Sequence, residues 1–130
     1  MIAPLAHRSL WRAAFAIYAV LLFTLTHWPR LAPPGAEAGS DKLAHFLAFF
    51  LWTALAIAAG FFGEWRSRRN VLLATALAIA YGTLDETSQL IPAFQRQFSL
   101  LDMAANAGGA LSASALALMV IRPSTDSNDS

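Results

Sequence analysis

The stretch Leu43 to Phe62, LAHFLAFFLWTALAIAAGFF, decides the fold: it is 20 residues long and holds a single ionisable side chain, His45. At about 1.5 Å of rise per residue, a helix of that length crosses a hydrocarbon core of about 30 Å. Three further segments group around it. Upstream, Ala13 to Trp28 is 16 residues without a charge, and Leu10 and Trp11 extend it if the Arg12 side chain snorkels. Downstream, Val71 to Leu84 is apolar apart from threonine and tyrosine, then runs into Asp85-Glu86-Thr87-Ser88-Gln89 before Pro92. Leu100 to Ile121 reverses that order, with Asp102 and Asn106 near its start and small or apolar residues after Gly108. The pattern predicts four helices over about 10–28, 43–62, 71–91 and 100–121.

The connections fit this division. Pro29 to Ser40 holds three prolines and two glycines, Gly63 to Asn70 is short and basic, and Ile91 to Phe98 carries Pro92 and Arg96. Ser99, three residues before Asp102, resembles an N-terminal cap and sets the start of the fourth helix. The tail, residues 123–130, is polar and expected to be disordered. A cleaved signal peptide is the rival reading of the first segment, because Arg8 and Arg12 precede an apolar run and Ala36-Glu37-Ala38 has a cleavage-like pattern. The distance from Trp28 to Ala38 weighs against it.

Composition agrees with a membrane protein. Of 130 residues 57% are apolar and 13% charged, about half the charged share of a soluble domain. A soluble domain this small needs polar side chains to cover its surface, and this chain lacks them unless its solvent is lipid. The formal net charge is +1 with no block of like charges, so no nucleic-acid partner is expected. Without cysteine there is no disulfide, thiolate metal site or cysteine nucleophile.

Charge also orients the bundle. Arg8, Arg12, Arg66, Arg68, Arg69 and Arg122 fall on one face, and Arg30, Lys42 and Arg96 on the other, so six basic residues stand against three. The positive-inside bias then puts both termini in the cytoplasm. The expectation is an all-α, polytopic, four-helix bundle in the bacterial cytoplasmic (inner) membrane. In that orientation Asp41, Lys42, His45, Tyr81, Asp85, Glu86, Ser88, Gln89, Arg96, Asp102 and Asn106 share the extracytoplasmic leaflet. At about 100° per residue, Asp41 and His45 lie on one helix face, as do Asp102 and Asn106. Gly108-Gly109, with Ala104, Ala105 and Ser112, gives the fourth helix a surface that a neighbour can approach closely.

In order, Asp41-Lys42 with His45, then Glu86, Gln89, Arg96, Ser99, Asp102, Asn106 and Gly109 resembles the pattern of the VanZ-like family of small bacterial membrane proteins, over roughly residues 41 to 110. Where that family often has Pro-Gly before the arginine, this chain has Phe94-Gln95. The resemblance implies an integral membrane protein of the cell envelope. The family's namesake is linked to resistance to the glycopeptide teicoplanin, and no reaction is implied.

The polar set holds Asp41, Asp85, Glu86 and Asp102 against Lys42 and Arg96, a formal −2 with His45 neutral. An excess shielded from water needs a proton, a charged histidine, a metal ion or a cationic ligand group. One reading is a site for a lipid-linked or amphiphilic envelope molecule. Arg96 and Lys42 would meet its phosphate or carboxylate, and Asp41, Gln89 and Asn106 would complete the binding set. Within it, His45 beside Asp41 would be a general base, with Glu86 or Asp102 as the acid. The competing reading is structural: the same residues cap helices in the headgroup zone, and Lys42 or Arg96 pairs with nearby acids.

A metal site from Asp41, His45, Glu86 and Asp102 has suitable donors but no spacing signature, so neither metal nor cofactor is expected. An ion or proton path is a third class, though no matching acids lie at the opposite ends of the second and third helices. Membrane lipids or a lipid-linked envelope precursor are the expected partners, and a homo-oligomer is compatible with so small a bundle. His7 and His27 are expected at the interface, and Trp52 in the core or facing lipid.

Overall fold

The computed structural model describes residues 4–27, 38–92 and 98–121, and within them the chain is all-helical. Four helices follow one another: α1 (Pro4–His27), α2 (Ala38–Ala59), α3 (Arg68–Ser88) and α4 (Leu100–Val120). The expected tail at 123–130, Arg96, Arg122 and the Phe94-Gln95 departure lie outside the described residues.

The helices alternate in direction, as their cross-links show. Near the start of α1, Arg12 Nε donates to Ala59 O (3.2 Å) and Nη2 to Gly60 O (3.4 Å), while Arg8 Nη2 donates to Gly63 O (3.1 Å). Arg12 thus occupies carbonyls that the end of α2 leaves without intrahelical partners, and Arg8 a carbonyl of the turn beyond it. Arg12, expected to snorkel, is instead a clasp between two helices. At the same end Asn70, fully buried, donates through Nδ2 to Ile57 O (2.8 Å) and accepts from Phe62 N–H (3.1 Å), tying α3 to the turn it follows. At the opposite end α2 and α4 begin side by side, linked by Lys42 and Asp102 at 3.0 Å.

Local chemistry explains the boundaries. Gly60 stops α2 with a left-handed φ of +60°, which a Cβ would strain while also meeting Gly63 O at 2.9 Å. Ser67 caps α3 by accepting from Asn70 N–H, and Ser99 caps α4 by accepting from Asp102 N–H at 3.2 Å, where the sequence places it. The first two helices begin several residues before their apolar runs, at Pro4 and Ala38. Hydropathy marks what enters lipid, whereas a helix ends where its backbone is capped. Consequently Asp41, Lys42 and His45 sit on a rigid helix.

The bundle is polar and small inside, apolar outside. Ala56, Ala59, Ala74, Ala78 and Ala110 are fully or almost fully buried, with Phe49, Trp52 and Val71 among them, while Ile17, Val20, Leu72, Leu84, Leu116 and Met119 face outward. Trp52 is therefore core: it stacks on Tyr81 at 5.7 Å and meets the edge of Phe15 at 4.8 Å. Thr75 and Ser114 share a buried hydrogen bond between α3 and α4. Gly109 lets α4 press against α2 backbone, since a Cβ there would lie 2.1 Å from Phe46 O. Such backbone proximity is how helices adhere when lipid supplies no hydrophobic contrast.

Three helices are long and apolar enough to cross a membrane: His7–His27, Ser40–Ala59 and Leu100–Val120. Of the four expected spans, α3 falls short of that standard, because Arg68, Arg69 and Asn70 open it and Asp85 and Glu86 lie near its end. It shows the same inside-out arrangement nonetheless: Leu72, Leu73, Leu77 and Leu84 are exposed, while Asn70, Thr75, Asp85 and Glu86 are buried.

Candidate functional site

The site lies where α2 and α4 begin and α3 ends. Asp102 Oδ1 accepts from Lys42 Nζ at 3.0 Å, one helical turn from where His45 Nδ1 meets Asn106 Oδ1 at 3.0 Å. The i,i+3 spacing on α2 and i,i+4 spacing on the parallel α4 make these two rungs of one ladder. An amide oxygen only accepts, so this bond puts the imidazole proton on Nδ1. Nε2 then faces Asp41, whose Oδ1 is 3.8 Å away and whose side chain is 49% exposed. His45 therefore has an interior face that is hydrogen-bonded and an exterior face directed at the mouth of the site.

Glu86 forms the floor. It is 0% exposed; Oε1 lies 3.6 Å from His45 Nδ1, and Oε2 accepts a long bond from Ser99 N–H at 3.4 Å. Among the described residues, three buried polar atoms here make no hydrogen bond: Glu86 Oε1, Asn106 Nδ2 and Gln89 Nε2. Leaving a buried polar group unsatisfied costs about 1–3 kcal/mol. Two donors and one acceptor are thus available to something else.

Of the expected site residues, Asp41, Lys42, His45, Glu86, Asp102 and Asn106 come together. Gln89 is buried at the end of α3, where its backbone N–H caps the helix, and its Nε2 makes no hydrogen bond among the described residues. Arg96 lies outside the described residues. Lys42, expected to meet an anion, is held by Asp102, as the structural reading allowed.

Asp85 and Ser88 leave the group. Adjacent residues on a helix point about 100° apart, so Glu86 faces α2 and α4 while Asp85 faces α1. There Thr26 Oγ1 donates to Asp85 Oδ1 (2.8 Å), and His27 Nε2 meets Ser88 Oγ (2.9 Å) while Nδ1 lies 3.6 Å from Asp85. The sequence reading placed His27 at the interface and did not foresee this second cluster. Its only signal was that Thr26 and His27 end one helix on the same side as the acids.

Comparison with protein-family models, with curated proteins and with solved structures finds no match to this chain.

Proposed function

We propose that this chain is a VanZ-like integral membrane protein of the bacterial cytoplasmic membrane, with its polar site on the extracytoplasmic side, and that the site binds or acts on a lipid-linked envelope component. The observation that carries this reading is the convergence of three helix ends on a buried cluster in which Glu86 Oε1, Asn106 Nδ2 and Gln89 Nε2 make no hydrogen bond among the described residues. A cluster that only joined helices would consume its polar atoms internally, as Asn70 does at the other end. An amphiphile suits the position, since its headgroup would meet the polar side chains where α2 and α4 begin while its chains stay beside exposed Leu43, Leu47, Leu100 and Leu101. Arg96 completes the reading as the partner of the ligand's anionic group, with His45 Nε2 as the base if a reaction occurs.

Native mass spectrometry of protein extracted gently from its own membrane tests the proposal. Wild type should carry a discrete lipid or glycolipid that Gln89→Ala and Arg96→Ala lose at equal folded abundance. If all three carry only bulk lipid, the ligand reading fails and a scaffold or assembly partner takes its place.

A further inference from the structure

The geometry points to a divalent transition-metal site of the zinc or manganese kind, formed by Asp41, His45 and Asp102 at the mouth of the cluster. One ligand atom from each residue falls within 4.8 Å of the others. Two carboxylates and one imidazole, drawn from the facing starts of α2 and α4, are hard and borderline donors suited to such an ion. Three protein ligands would leave coordination positions for water or for a ligand oxygen.

Two independent features of the cluster point to an ion. First, His45 is arranged as a metal-bound histidine usually is: Nδ1–H donates to Asn106 Oδ1 at 3.0 Å with the Glu86 carboxylate behind it at 3.6 Å, so Nε2 is left directed at Asp41. Second, Glu86 is 0% exposed, and its Oε1 makes no hydrogen bond among the described residues. A buried carboxylate in that condition is stabilised by a proton or by a positive charge nearby, and a bound ion is one source of that charge. Asp41, Glu86 and Asp102 against Lys42 leave two negative charges among the described residues when His45 is neutral, which is the charge of one divalent ion. Lys42 Nζ occupies Asp102 Oδ1 in this structure, but its side chain is 33% exposed and can withdraw to water as the ion enters. The inference rests on this geometry alone and stands or falls separately from the identity of the envelope ligand. With an ion bound, His45 Nε2 is a ligand and not a free base.

Zinc and manganese are the probes. Detergent-purified full-length protein without a polyhistidine tag is stripped with chelator, dialysed against Zn2+ or Mn2+, and assayed for bound metal by elemental mass spectrometry. About one equivalent should bind saturably. Asp41→Asn, a change at a half-exposed first-turn position that spares the core, should weaken binding at least about tenfold, the scale on which even a supporting residue of a metal site acts. Lys42→Ala should tighten binding by removing the competing ammonium, the opposite of what loss of a structural ion pair would do. Glu64→Gln at the other end should leave binding unchanged. Absence of saturable binding by wild type, or equal affinity in wild type and Asp41→Asn, overturns the metal site while leaving a lipid ligand testable by co-purification.

Discussion

At the residue scale, the side chains that matter most cross from one helix to another. Asn70 satisfies both a carbonyl and an amide of the α2–α3 turn while fully buried, so Asn70→Ala leaves two backbone groups unpaired. A loss of about 1–3 kcal/mol is expected. Thr75→Val should cost less, about 0.6 kcal/mol, because interhelical hydroxyl bonds in membrane bundles average that little. Unfolding titrations in mixed micelles, read by circular dichroism, check both values, and the reverse ranking would contradict the role of Asn70 as a tie. His45 belongs to this scale as well. If the purified protein turns over a lipid substrate, His45→Ala should abolish turnover while the variant keeps its fold, and equal turnover would remove His45 from the chemistry.

At the element scale, much was legible in the sequence. The long apolar runs gave four helices in their observed order, and Ser99 located the start of α4, because a cap is a local signal that three residues carry. The early start of α2 was not legible from hydropathy, since Asp41 and Lys42 lower the apolar score while a first-turn acid favours the helix through its dipole. Nor was the division of labour between Asp85 and Glu86, which depends on the rotation of α3 about its own axis. The i,i+4 pairs Asp41/His45 and Asp102/Asn106 did predict shared faces, but that the two faces meet each other is a consequence of α2 and α4 packing in parallel. Gly109 makes that packing close. Gly109→Leu would drive a side chain into the Phe46 carbonyl, and overpacking of this kind costs about 1–3 kcal/mol or forces α2 away from α4. The variant should show a lower melting temperature together with weaker ligand or metal retention, since both helices supply the site; unchanged stability would mean that α2 and α4 are not in backbone contact.

At the scale of the whole molecule, the two ends of the bundle differ in kind. One is closed by Arg8 and Arg12 on backbone carbonyls and by Asn70, whose amide pairs through both its oxygen and its nitrogen. The other holds acids, two histidines and atoms with no partner among the described residues. That asymmetry, with an apolar outer surface between the ends, fits a membrane protein whose polar site lies at one end of the bundle. Among the described residues, three helices meet the standard for crossing by composition. α3 shares the inside-out pattern of the other three, with polar side chains buried and leucines outside, and the proposed four-span bundle takes it as the remaining span. The absence of cysteine gives a clean background for the decisive measurement: single-cysteine variants Ser40→Cys, beside the site, and Glu64→Cys, at the arginine end, labelled with a membrane-impermeant maleimide in intact spheroplasts and again after permeabilisation. The account predicts that Ser40→Cys is labelled in intact spheroplasts and Glu64→Cys only after permeabilisation. Labelling of Glu64→Cys alone from outside would put the site in the cytoplasm and contradict an extracytoplasmic ligand, and labelling of both from outside would contradict the four-span bundle.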